Sequence, residues 1–370
     1  MKTNMQRVQF DYAAGMPPNP SSIHHDGVVE RASLEEARGR VAAVLGSHPD
    51  EIIFTSGGTE SNNLAILGSL EKGDHAITTS IEHHSVIEPF RELERRGVSV
   101  DFVSPDKNGI VDPGRITDHL RPNTKLISVI YANNEIGTIQ SISEISKAIK
   151  KQSIKLGLKK VPLFHIDACQ APGALPLLVE PLHVDLMTLN GRKISGPTGV
   201  GVLFVKRGVK LRPIMFGGGQ ERGLRPGTEN VEGAAAFAAA LESIDQKKES
   251  ALLKIQKIHD YFIKQIEANF PFAKLNGDEV SRLPGNLNIS FMGHDAEMLL
   301  LRLDAHGINV STGSACASGS SDSSYVLKAI GLSDLEIKSS LRFTFDDTLT
   351  KKDVDKTISE LKKAIALDQS

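Results

Sequence analysis

The chain of 370 residues is 40% hydrophobic and 24% charged, with 43 Lys and Arg against 45 Asp and Glu for a formal charge of −2. It can bury a large core, and its length favours two domains, while the dispersal of its basic residues excludes the concentrated positive face of a direct nucleic-acid binder. MKTNMQRVQFDY has no apolar signal-peptide core and no apolar run approaches the roughly 20 residues that span a bilayer, so a cytoplasmic protein with no membrane partner is expected.

From residue 50 to 205 the runs EIIFTS, HAITTS, VDFVSP, KLISVIYA, PLFHIDA, VDLMTL and GVGVLFV read as buried strands of a mostly parallel sheet. Between them ESNNLAILGSLEK, SVIEPFRELERRG and, after a serine cap, SISEISKAIKKQSIKLG carry apolar residues at helical spacing. The expected class is α/β, with ligands at the strand ends. Beyond about residue 230 the alanine-rich VEGAAAFAAALESIDQKKESALLKIQKIHDYFIKQIEANF predicts one long helix or two stacked ones. A second domain follows, with strand-like NLNISFM and SLRFTF and the helices AEMLLLRLDAHG and DVDKTISELKKAIAL.

The chain has two cysteines, Cys169 and Cys316, and twelve scattered histidines without zinc-ligand spacing, so neither a disulfide framework nor a metal site is expected. Cys316 lies in STGSACASGSSDSSYVLKAIG, among small polar residues instead of the apolar neighbours of a core thiol.

Four further clusters sit at strand ends. In FTSGGTESNNLAI a Gly-Gly turn opens a helix near Thr59, whose free N–H groups suit an anion, although such a turn is often plain structure. In HIDACQ, Asp167 closes an apolar strand and needs a cationic or N–H partner, unless it simply caps the next turn. LMTLNGRKISGPTGVGVLFV places Lys193 just past a strand, where desolvation would free its amine, against the usual reading of lysine as a solvated charge. YANNEIG and IEHHS add an amide at Asn134 and an imidazole at His83, each with a turn or core alternative. Together a phosphate cradle, an acid, a lysine and a flat stacking group match the needs of pyridoxal 5′-phosphate.

These segments, with NPSSIH at 19–24, GGGQERGLRPGTEN at 217–230, GSACASGS and LRFTF, resemble the cysteine desulfurases of the class V aminotransferase family, the type whose active cysteine lies in a long loop. The resemblance covers nearly the whole chain. It implies a pyridoxal-phosphate transferase fold of type I: a seven-stranded sheet flanked by helices over 16–245, and a smaller α+β domain from 1–15 and 246–370 that carries the cysteine loop. It also implies roles. Lys193 would hold the cofactor covalently and act as base, Asp167 would pair with the pyridinium nitrogen, His83 would stack on the ring and Gln170 would bond its phenolic oxygen. Gly58 and Thr59 would bind the phosphate, with Thr228 reaching that of a neighbouring subunit in a homodimer. Asn134 would line the substrate side and Arg342 would grip the substrate carboxylate, a task suited to its planar fork. L-Cysteine would become L-alanine, leaving a persulfide on Cys316 for a sulfur acceptor such as an iron–sulfur scaffold or a tRNA-thiolation protein.

The sequence departs from the pattern in places. Asn190 and Arg192 stand where the family has serine and histidine; both can donate to a phosphate, and Arg192 adds a permanent charge expected to strengthen its retention. DYAAG runs almost directly into MPPNPSSIH, where the family places about twenty more residues. Cys169, beside Asp167, is expected to be a buried thiol without a redox role. Two alternatives stay open: a selenocysteine lyase or other class V enzyme, and a degenerate homologue serving as a sulfur-transfer scaffold. Cys316 argues against simple transamination, and Lys193 against the scaffold.

Overall fold

The computed structural model describes residues 8, 10–313 and 323–368; Cys316 lies outside them. All seven apolar runs form strands: β1 (Ile52–Thr55), β2 (His75–Thr79), β3 (Ser99–Val103), β4 (Thr124–Ile130), β5 (Leu163–Asp167), β6 (Leu186–Asn190) and β7 (Gly201–Val205). They join in the order β1-β7-β6-β5-β4-β2-β3. β7 runs antiparallel to both β1 and β6, and the other neighbours are parallel. The sheet is buried on both faces, which is why its strands read as unbroken apolar runs. Ile52, Ile127, Met187 and Phe204 enter one core, and their neighbours Ile53, Leu126, Leu186 and Leu203 enter another.

The helices are α1 (His25–Leu45), α2 (Gly58–Ser69), α3 (His84–Arg95), α4 (Pro113–Asp118), α5 (Ile142–Lys155), α6 (Val179–Leu182) and α7 (Val231–Asn269), then α8 (Ala296–Asp304), α9 (Tyr325–Ala329), α10 (Asp334–Lys338) and α11 (Lys351–Asp368). The serine expected to cap α5, Ser141, stands at the N-cap but makes no side-chain cap bond; its φ of −77° and ψ of 68° depart from the extended backbone usual at a cap. The alanine-rich segment is one continuous helix. Its first half buries Ala234, Phe237 and Leu241 in the core under the sheet, and its second half buries Ile258, Phe262 and Ile266 in a separate core.

That second core lies against an antiparallel sheet, β8 (Ala273–Asn276), β9 (Asn286–Phe291) and β10 (Ser340–Thr344), in the order β10-β9-β8, and is closed by α8 and α11. α9 and α10 return to the larger core through Val326, Leu327 and Ile337. The two sheets meet along a seam of backbone and amide contacts. Thr138 bridges Arg282, the Leu283 N–H donates to the Gly137 carbonyl at 2.9 Å, and Asn286 and Asn288 donate to the carbonyls of Asn134 and Glu135 at 3.1 and 3.2 Å.

Candidate active site

The strand ends converge on a cavity of about 340 Å³ lined by Gly58, Thr59, His83, Asn134, Asp167, Gln170, Asn190, Arg192, Lys193 and Arg342. Residues up to 284 positions apart in sequence thus meet where the sheet topology directs a ligand. Of the other residues singled out from the sequence, Thr228 is exposed and does not line this cavity, and Cys316 lies outside the described residues.

Glycine builds one wall. Gly57 has a φ of 151°, which only glycine adopts freely, and it lets the chain turn from β1 into α2. Gly201 sits opposite Thr55 on β1 and Asn190 on β6. A Cβ at Gly201 would lie 2.5 Å from the Gly57 carbonyl carbon, and one at Gly58 would lie 2.8 Å from the Cys169 sulfur. The bare backbone therefore lets the start of α2, with its unpaired N–H groups, press into the site.

Asp167 ends β5 almost fully buried. Its carboxylate accepts from the Cys169 backbone N–H at 3.0 Å and from the Asn62 side-chain amide at 2.8 Å. The same amide nitrogen donates to Ser85 Oγ at 2.8 Å, and Ser85 Oγ lies 2.7 Å from His83 Nδ1. His83 caps α3, with Nδ1 also accepting the Ser85 backbone N–H at 3.1 Å. Burial holds the His83 imidazole below the ordinary histidine range, although the Asp167 charge opposes it. Burial likewise pushes the Cys169 thiol well up, helped by Asp167, so this thiol is poorly disposed to ionise.

Lys193 differs from its sequence expectation. β6 ends at Asn190, and Lys193 rides on the 3₁₀ turn Gly191–Ile194, exposed with Arg192 instead of desolvated at the strand end. The turn is held by Asn190, whose side chain accepts the Arg192 N–H at 3.3 Å. On the opposite side Arg342 of β10 is half-buried, its backbone paired with Ser311 and its Nη1 donating to the Asn134 carbonyl at 3.2 Å.

Three residues near the site escaped the sequence reading. Asn62 and Ser85 were hidden because their partners are distant in the chain. Glu82 lies wholly inside, accepting from Thr79 Oγ1 at 2.6 Å and the Ile130 N–H at 2.7 Å through Oε1, while no hydrogen bond from the described residues reaches Oε2. Burial, with the nearby Asp167 charge, pushes its carboxyl up to about 8. Next to Asn134, buried Glu135 accepts from Ser324 Oγ at 2.6 Å, and a Cβ on Gly313 would approach its carboxylate to 3.4 Å. Glu135 thus holds Ser324, shortly after 314–322, and lies close to Gly313, just before them.

The family model for class-V aminotransferases matches residues 5–357. A protein of Dictyoglomus turgidum named cysteine desulfurase IscS is 43% identical over 381 aligned positions, covering 97% of this chain and 95% of the relative. That alignment is longer than this chain's 370 residues, so the relative carries residues absent here. A protein of the same name from Methanosarcina thermophila is 42% identical, covering 92% of this chain and 83% of its own. Among solved structures, one described as a NifS-like protein superposes with a TM-score of 0.87 at 31% identity, covering 98% of this chain and 97% of its own.

Proposed function

Since the chain belongs to the class-V aminotransferase family, we propose that it is a cysteine desulfurase that uses pyridoxal 5′-phosphate to convert L-cysteine to L-alanine and retains the sulfur as a persulfide on Cys316. The observation that carries this reading is the meeting of Asp167, Lys193, His83 and Arg342 on one cavity.

The residues present fit the cofactor. A buried carboxylate held from behind by two N–H donors has its remaining acceptor capacity for a protonated ring nitrogen. The Gly58–Thr59 helix start, Asn190 and Arg192 supply donors and positive charge for a phosphate. When bound, pyridoxal phosphate supplies an electron sink for the charge that develops at the substrate Cα.

On this reading Asp167 would pair with the ring nitrogen, Gln170 would bond the phenolic oxygen and His83 would stack on the ring. Lys193, exposed on its turn, would hold the cofactor covalently and would move the Cα proton. Arg342 and Asn134 hold the substrate carboxylate. The Cys316 thiolate attacks the substrate sulfur as the carbon–sulfur bond breaks; the carbon skeleton takes up a proton and leaves as L-alanine, and both sulfurs remain on the enzyme. We further place the protein in the cytoplasm as a homodimer, with Thr228 reaching the neighbouring phosphate and an acceptor protein taking the sulfur. The larger domain spans 16–245 and the smaller comprises 1–15 and 246–370.

The test supplies the purified protein with pyridoxal phosphate and L-cysteine and follows alanine, sulfide released by reductant, and persulfide on Cys316. Lys193→Ala is expected to lower turnover by roughly 10³-fold, and Cys316→Ser to abolish persulfide and sulfide. Alanine formation at the parental rate in Cys316→Ser would remove Cys316 as nucleophile. A protein that gains no cofactor absorption would remove the enzyme reading and favour a scaffold.

A further inference from the structure

Asn62 and Ser85 have no part in the chemistry above, yet their hydrogen bonds can be followed in one direction only. Asp167, as a carboxylate, accepts and never donates. Asn62 must therefore turn its NH₂ group, and not its oxygen, toward Asp167. The second hydrogen of that group points to Ser85 Oγ. Ser85 Oγ is thus an acceptor on that side, and its single hydrogen is left for His83 Nδ1, 2.7 Å away. The Ser85 backbone N–H reaches the same nitrogen at 3.1 Å. With two donors aimed at it, Nδ1 has no room for a hydrogen of its own. The ring proton falls to Nε2, which no hydrogen bond among the described residues engages.

We propose that Asn62 and Ser85 are positioning residues that fix His83 with its proton on Nε2, so that His83 meets the cavity as a hydrogen-bond donor and leaves proton transfer to Lys193. The inference rests on reading this cavity as the cofactor site. To become an acid or base, His83 would have to protonate Nδ1 and displace both donors. All three side chains of the relay are half-buried or more, with Asn62 at 0% and Ser85 at 7% exposure, and His83 and Ser85 reach the cavity wall. Burial favours the same neutral form. The charged and titratable groups sharing a cavity wall with the ring are Asp167 and Cys169 at the end of β5, Lys193 and Arg192 from the 191–194 turn, Arg342 from β10, and His84, Glu88, Glu92 and Arg95 from α3; of those that act on the ring, Asp167 alone favours the cation.

The test uses the full chain labelled with ring-¹⁵N histidine, without substrate, and reads long-range ¹H–¹⁵N spectra across pH, with His83 identified by its absence in His83→Gln. The parent is expected to show the Nε2–H tautomer. Ser85→Ala removes one donor to the neutral ring and should titrate at higher pH than the parent; Ser85→Thr keeps the hydroxyl and should titrate with the parent. An Nδ1–H tautomer in the parent overturns the proposal without any variant. So does a Ser85→Ala titration that superimposes on the parent, or a Ser85→Thr titration that follows Ser85→Ala. No turnover is measured, so these spectra stand or fall separately from the desulfurase assay.

Discussion

At the scale of single residues, Glu82 makes the clearest statement about pH. Its carboxyl is raised from 4.5 to about 8 by burial, so between those values the folded protein binds a proton that the unfolded chain has lost. Stability attributable to Glu82 is therefore full below the lower value and is lost as pH rises through the upper one. Glu82→Gln keeps an oxygen for Thr79 and Ile130 and places its amide where no partner stood. Denaturant midpoints are expected to show the parent falling relative to this variant as pH climbs from 5 to 8, and parallel curves would refute it. Asp167 and Lys193 were legible in the sequence because each stands beside a strand end in a short motif. Glu82 was given no role beside His83 in IEHHS, since its burial depends on Thr79 and β4, and Asn62 is 105 positions from the carboxylate it holds. The exposure of Lys193 was missed for a related reason: the two residues between strand and lysine fold with it into a turn that the apolar pattern does not record.

At the scale of elements, β7 acts through what it lacks. Gly201→Ala would drive a Cβ into the Gly57 backbone, which cannot swing aside as a side-chain tip can. The variant is expected to lose several degrees in Tm and to hold pyridoxal phosphate more weakly, because the start of α2 must move. Calorimetry and cofactor titration check this, and Gly199→Ala is a poor control because its φ of +81° is itself costly for alanine. The strands of the large sheet were readable because burial on both faces makes them continuous apolar runs. α1 was not, because its 21 residues mix acidic and basic side chains with a few buried ones such as Leu34, Val41 and Leu45, giving no clean apolar stripe. The four-residue β8 is too short to leave a periodic trace.

At the scale of the whole molecule, the segment 217–230 is tied down by a buried ion pair. Arg38 donates to both oxygens of Glu221, at 2.8 and 2.7 Å, and Glu221 also accepts the Phe54 N–H at 2.9 Å. Glu221 itself has a φ of 43°, a left-handed backbone that these three hydrogen bonds from Arg38 and Phe54 hold in place. Glu221→Ala removes the buried counter-charge of the Arg38 guanidinium, leaving it the more exposed Glu35 carboxylate and the Ile52 carbonyl, and is expected to cost about 3 kcal/mol in denaturant unfolding. Breaking the exposed Arg207–Asp50 pair should leave the midpoint nearly unchanged. A loss at Glu221 no larger than that at Asp50 would show that the pair is not a tie. The existence of a further core, apart from those of the large sheet, was legible from the change in pattern after residue 230, but the seam between the sheets was not, because NNEIG reads locally as a turn and its partners lie some 150 residues on. The seam and α7 together set a mechanical tolerance. About 25 Å of helix separates Leu241 from Ile258, and a bend of about 5° over that length would swing its far end by roughly 2 Å, when misplacement by about 1 Å already costs 10²-fold in rate. A beam alone would be too imprecise to aim Arg342 at Asp167. The row of amide contacts from 134 to 138 works as a second bearing, so the two halves of the cavity keep their register even while the helix flexes.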